Sequence, residues 1–192
     1  MTDSLIAPLA RARFVVTLPP EPSQFGRKLQ EMSGASFTTL TDTKDAFLHL
    51  ARRARERLVI MTPYIDSPGA NWAADLFEAT AARSKILVLR GMEQVPKAGA
   101  SGDRLAKAAS RMYDYTLVGS GRDGQAFTET FHAKVVLADG VAAYVGSANF
   151  LYRSREANLE CGFLMEGDAV TPVAVVVDAL LGVLTSHGDQ SS

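Results

Sequence analysis

The chain has a single cysteine, Cys161, so neither a disulfide framework nor a multi-thiolate zinc site is available to it. Its three histidines, His49, His132 and His187, are too scattered to suggest a His-rich metal site, and no metal or cofactor is expected. Charge of one sign is lacking as well. Twenty Lys plus Arg stand against 21 Asp plus Glu, which excludes a globally basic nucleic-acid binder and leaves room only for a local basic face. The N-terminus has no charged stretch followed by an apolar core, so no secretory signal is expected. The longest apolar run, near 173–184, is interrupted by Asp178 and Gly182, so the expectations are no membrane insertion and a cytoplasmic location. What is present, 47% hydrophobic and 21% charged residues over 192, suffices to bury the core of one α/β domain.

Residues 13–18 read as a strand stopped by Pro19-Pro20, 23–32 as a short helix and 33–36 as a turn. The segment 1–40 is expected to pack on a domain spanning 41–186, with 187–192 a frayed tail. Thr41, Asp42 and Thr43 offer capping oxygens, after which Phe47, Leu50, Ala51, Ala54 and Leu58 recur at helical spacing. The opposite face carries Arg52, Arg53, Arg55 and Arg57, read as a solvated face in preference to a phosphate-binding stripe. A strand at 58–62 is ended by Pro63, and Ser67-Pro68 opens a helix to about 82. Strand 86–89, a loop over 92–102, a helix over 103–112 and a strand over 113–118 follow. This alternation predicts crossover units and a largely parallel sheet covered on both faces. After a glycine-rich loop at 119–124 the rhythm changes. Strands at 131–138 and 141–145 are joined by Asp139-Gly140, the preferred pair for a tight hairpin, then a strand at 158–165 and a helix over 168–184 close the chain.

Chemistry concentrates in that hairpin. His132 and Lys134 are two apart on a strand and so share a face. The return strand delivers Ser147 and Asn149 near the same height, and the next strand can bring Glu160 alongside. Polar and charged groups thus converge at one end of a hairpin otherwise built from Val, Leu and Ala. A core does not need that arrangement; an anion site does.

His132-x-Lys134-x4-Asp139, followed by Gly146-Ser147-x-Asn149, resembles the HKD signature of the phospholipase D superfamily. Glu160 falls where that superfamily often carries a carboxylate beside the histidine. The resemblance implies an α/β/α sandwich with a central mixed, largely parallel β-sheet over about 43–184, and a phosphodiesterase that forms a phosphohistidine. In that chemistry neutral His132 attacks phosphorus through Nε2 while Glu160 holds its Nδ1–H, and Lys134 and Asn149 donate to the non-bridging oxygens. Ser147 assists with a hydroxyl or backbone donor, whereas Asp139 and Gly146 are structural members of the motif.

One histidine cannot be nucleophile and leaving-group acid at once, and neither His49 nor His187 has a Lys two residues on. The resemblance therefore implies a homodimer with the two-fold axis through the site, as in similar single-motif bacterial nucleases. Nucleic acid is the expected substrate, with Arg52, Arg53, Arg122, Arg153 and Arg155 as possible contacts. The alternatives are a phospholipase or phosphatidyltransferase, or a non-catalytic subunit. There is also a loose likeness to the phospholipase-D-like component of DISARM antiphage systems.

Overall fold

Short apolar runs alternate with amphipathic segments, and the computed structural model, which describes residues 11–33, 40–120 and 125–188, gathers most of the strands into one seven-stranded sheet. In chain order the elements are β1 (Arg11–Thr17), α1 (Gln24–Ser33), α2 (Thr43–Arg53), β2 (Arg57–Met61), α3 (Ser67–Ala79) and β3 (Ser84–Leu89). Next come α4 (Gln94–Lys97), α5 (Ala100–Ala108), β4 (Arg111–Asp114), β5 (Thr116–Ser120) and β6 (Ala126–Thr130). The last are β7 (Lys134–Ala138), β8 (Ala142–Gly146), α6 (Tyr152–Glu156), β9 (Glu160–Glu166) and α7 (Thr171–Gly188), with a 3-10 turn at Gly167–Val170.

The sheet order is β1-β9-β8-β7-β2-β3-β4. It is mixed, but not largely parallel as the alternation predicts. Only β2-β3 and β3-β4 are parallel, joined through α3 and α5, while the other four pairings are antiparallel. Connections as short as Asp139–Val141 cannot cross over a sheet face, so the second half of the chain has to run back and forth.

Helices cover both faces. Alternate residues of the strands, among them Leu58, Ile60, Leu87, Val136 and Tyr144, pack under α2, α3 and α5. The intervening residues Val59, Met61, Val88, Val135 and Leu137 pack with Val170, Val177 and Leu184 of the closing segment. Phe47 of α2 stacks on Trp72 of α3 with ring centroids 4.9 Å apart and meets Tyr144 of β8 edge-on at 4.8 Å. Such ring pairs add about 0.5–1.5 kcal/mol beyond area burial. They tie two helices to the strand that carries the Gly146-Ser147 turn.

Several local expectations are corrected. β1 pairs over seven residues with β9, which adds an edge strand from Arg11 to the sheet. The strand expected at 113–118 is two strands: β4 ends the main sheet, and β5 pairs with β6 in a separate ribbon. Tyr115 marks the break; its N–H donates to Leu89 O and its ring stacks on Phe131 at 6.0 Å. The expected loop at 92–102 contains α4 and the start of α5. The cap of α3 is Asp66, whose carboxylate accepts from Gly69 N at 2.8 Å, not Ser67. α7 continues to Gly188, past the expected start of a frayed tail, and most of the turn expected at 33–36 lies outside the described residues.

The closing segment also corrects the apolar-run expectation. Over Gly167–Thr185 the mean hydropathy is 1.8, with 17% of that window buried, so by length and composition this helix could cross a membrane. Asp168 and Asp178 are its only charges, too few to lower the average. One stripe of it packs on the sheet, and Asp178 pairs with Arg57 of β2.

Candidate active site

The strand order brings one end of β7 beside the carboxyl ends of β2 and β3, and the site is built there. Lys134 opens β7 and is 6% exposed; His132, two residues earlier, is exposed. The Lys134 ammonium donates to the His132 carbonyl at 2.8 Å and lies 2.9 Å from Nδ1 and 3.2 Å from Nε2. Burial pulls this ammonium below the ordinary lysine value, and the charge of Glu160 opposes the pull.

Glu160 opens β9 and is also 6% exposed. Its carboxylate does not hold the His132 ring as expected; it accepts from Ser147 Oγ and, at 3.4 Å, from Asn158 Nδ2. The reason is topological. β8 lies between β9 and β7, so the end of β8, where Ser147 sits, intervenes. Ser147 Oγ in turn accepts from Cys161 N at 3.1 Å, and Ser147 N donates to Cys161 O at 2.9 Å. Ser147 thus braces the end of β8 to the start of β9.

Asn149 is placed by its neighbours. Ala148 N donates to the Tyr144 hydroxyl at 3.4 Å, and Phe150 N donates to Thr62 Oγ1, just past β2, at 3.2 Å. A segment leaving β8 and reaching β2 must cross the end of β7, which carries it over Lys134. Asn149 Oδ1 is buried there without a hydrogen-bond partner among the described residues. A buried polar atom without a hydrogen-bond partner calls for an explanation, and a bound group is one that would supply it.

Two glycines make the turn possible. A Cβ on Gly146 would stand 2.2 Å from the Tyr144 hydroxyl and 2.6 Å from Cys161 O; one on Gly162 would stand 2.5 Å from the same ring. Tyr144 is fully buried between them, and burial pushes its phenol up to about 12. The motif glycine is required by this ring and by the Cys161 carbonyl together.

Asp139 lies at the far end of β7, roughly 16 Å of strand from Lys134. Its carboxylate accepts from the amides of Arg55, Glu56 and Arg57 at 2.8–2.9 Å. Burial alone would raise its pKa, but these backbone donors lower it below the ordinary aspartate value. Both Asp139 and Gly140 have positive φ, 54° and 72°. The aspartate locks the hairpin to the start of β2.

The arginines fare differently. Arg122 lies outside the described residues. The Arg155 guanidinium packs 5.6 Å from the Trp72 ring and is paired with Glu156, so the fold already uses it. Arg153 is exposed on α6. Arg53 pairs with Glu166, and together with Arg52 it sits toward the opposite end of the strands. His49 also contacts Glu166, at 3.1 Å, as a helix-surface histidine would.

Sequence reading missed Arg90. It follows β3, and its guanidinium donates to the Tyr64 hydroxyl at 3.3 Å, while the Tyr64 ring meets His132 edge to face at 6.1 Å. For Arg90 the signal available was position alone: it follows a parallel strand, where ligands of open α/β sheets gather. Among the described residues no three His, Cys, Asp or Glu side chains are grouped so as to hold a metal ion.

A family model described as cardiolipin synthase, PLD-like domain, matches residues 47–177. An uncharacterised protein of Streptococcus mutans is 29% identical over 123 residues; this spans 64% of the present chain and about a quarter, 25%, of that protein. Among solved structures, the phospholipase D family member Nuc from Salmonella typhimurium superposes with a TM-score of 0.54 at 14% identity, covering 95% of this chain and 96% of that one. NucT from Helicobacter pylori gives 0.54 at 15% identity, covering 93% and 97%. At such identities the likeness speaks to the fold.

Proposed function

The chain belongs to the PLD-like domain family, and from that premise we propose that it is a metal-independent phosphodiesterase, a nuclease whose active site is completed by a second copy of itself. The observation that carries the reading is the buried Lys134 ammonium held against the nitrogens of an exposed imidazole. When a phosphodiester enters, Lys134 turns from the ring to a non-bridging oxygen and frees the lone pair beside it. That nitrogen attacks phosphorus, the bond to the leaving oxygen breaks, and the partner's His132 gives the leaving alkoxide its proton. Water deprotonated by the partner's His132 then attacks the phosphohistidine and restores the ring, leaving a phosphate monoester and an alcohol. Lys134 and Asn149 supply the cradle for the transferring oxygens. Ser147 and Glu160 keep the Asn149 turn in place, and Glu160 keeps Lys134 charged.

The second copy has a surface to occupy. On the other face of the motif strand, Met61, Ala133, Val135, Val145, Pro172 and Val176 contribute to an apolar groove of about 310 Å³. Val175 and Val176 of α7 are exposed beside it. Ala133 stands between His132 and Lys134, so the groove adjoins the site that needs a second histidine. A stable dimer buries roughly 800 Å² per partner, so the interface would have to extend well beyond the groove.

A second reading, phosphatidyl transfer at a lipid surface, is favoured by the hydropathy of α7 and by the family's description. A panel of DNA, RNA and phospholipid vesicles in EDTA separates the two. The nuclease reading expects nucleic-acid cleavage at a rate EDTA does not change; cleavage of vesicle lipid alone would overturn it. In the same assay, the depressed Lys134 pKa sets a sign. The ammonium is lost below the ordinary lysine range, so activity falls there as pH rises. Lys134→Arg, slower because its fork fits differently, should move that alkaline limb upward, since a guanidinium keeps its charge.

A further inference from the structure

β7, β2 and β3 are adjacent, and their ends present a row: His132 before β7, Tyr64 after β2 and Arg90 after β3. Tyr64 is 40% exposed and Arg90 is exposed. No carboxylate among the described residues forms an ion pair with Arg90; its side-chain partner is the Tyr64 hydroxyl.

The backbone beneath this exposed pair is firmly held. The Gln94 amide donates to Pro63 O at 3.1 Å, Arg90 O at 2.5 Å and Gly91 O at 3.2 Å, and its oxygen accepts from Ile65 N at 3.0 Å. Thr62 Oγ1 donates to Tyr64 O at 2.9 Å. The Asp114 carboxylate accepts from Gly91 N and Met92 N at 3.0 and 2.9 Å. One glutamine therefore splices two loops and fixes the spacing of the two residues. Exposed side chains on a braced backbone are placed to meet a group outside the chain. At about 4.8 Å per strand, Arg90 stands roughly 10 Å from the level of His132, with an aromatic face between them. Phosphate, base, phosphate is the order that such a row would take from a single strand.

We propose that Tyr64 and Arg90 form a subsite for single-stranded nucleic acid. The base beside the scissile phosphate lies against Tyr64, and Arg90 leaves the Tyr64 hydroxyl to grip the next phosphate. This deepens the nuclease reading and rests on it. The test is fluorescence anisotropy of a labelled oligothymidylate, titrated at a series of salt concentrations with the full chain carrying His132→Ala so that nothing is cut. Adding Arg90→Ala should weaken binding and lower the slope of log affinity against log salt by about 0.7, the share of one phosphate contact. Adding Tyr64→Ala should weaken binding about tenfold, while Tyr64→Phe, which keeps the stack, should stay within about threefold of the parent. An unchanged salt slope in the Arg90 variant overturns the subsite, as does equal binding by the two Tyr64 variants. So does an effect seen only in sedimentation with anionic phospholipid vesicles. Cleavage is read separately with His132 intact. A chain that binds through Arg90 yet never cuts refutes the nuclease reading alone, and one that cuts with Arg90 irrelevant to binding refutes the subsite alone.

Discussion

Replacing His132 with alanine should lower kcat on a phosphodiester by about 10⁴-fold or more, while the melting temperature moves by no more than about 2 °C. Both halves follow from where the residue sits. In a shared site the substitution removes the nucleophile and the proton donor together, and neither Lys134 nor Asn149 can do the work of an imidazole at neutral pH. Stability is spared because the ring is exposed and sits outside β7, and because Lys134 keeps its bond to the backbone carbonyl of residue 132. Exposed substitutions of this kind stay within about 0.5 kcal/mol. Kinetics with a soluble aryl diester and thermal unfolding of the same preparation check both numbers. Residual turnover above a few per cent would place the chemistry elsewhere.

Gly146→Ala should do the converse, destabilising the fold by about 3 kcal/mol and lowering activity as a consequence. The added methyl would collide with the Tyr144 hydroxyl at 2.2 Å and with the Cys161 carbonyl at 2.6 Å, and the second of these is backbone. Tyr144 cannot swing aside, since Phe47 lies against it and Gly162 closes its other flank. Any relief has to come from the Ser147–Phe150 turn, which is the segment that holds Asn149 over Lys134. Tyr144→Ala alone should cost a comparable amount through the cavity it leaves, about 3–5 kcal/mol. The two losses should fall short of additive, because the new methyl enters vacated space. Additive losses in denaturant unfolding would show that the Cys161 carbonyl, and not this ring, is what demands the glycine.

Much of the site was legible because it is local. His132 and Lys134 share a strand face by the period of two, and Asp139-Gly140 announces a turn that needs two positive φ values. Continuous apolar runs mark β2 and β3 whatever surrounds them. What was not legible depends on partners distant in sequence. The partner of Glu160 is decided by β8 lying between β9 and β7, an order no single segment records. β6 was missed because Ala126–Thr130 is mostly exposed and shows no apolar face. The split at Tyr115 was missed because 113–118 reads as one run of strand formers. Arg90 and Gln94 look like ordinary loop residues until two parallel strands end side by side, when they acquire Tyr64 as a neighbour. The cap of α3 passed from Ser67 to Asp66 because the aspartate also accepts from Tyr152 N, at 2.9 Å, across the fold.

The central claim is that one imidazole from each of two copies acts on the same phosphorus. It is tested most directly by purifying, through two different affinity tags, the heterodimer of a wild-type subunit with a His132→Ala subunit. A single composite site predicts that this heterodimer, lacking one of its two histidines, is nearly as inactive as the doubly substituted protein, below about a hundredth of wild type. Half of the wild-type rate would mean that each subunit works alone, and would contradict the shared site.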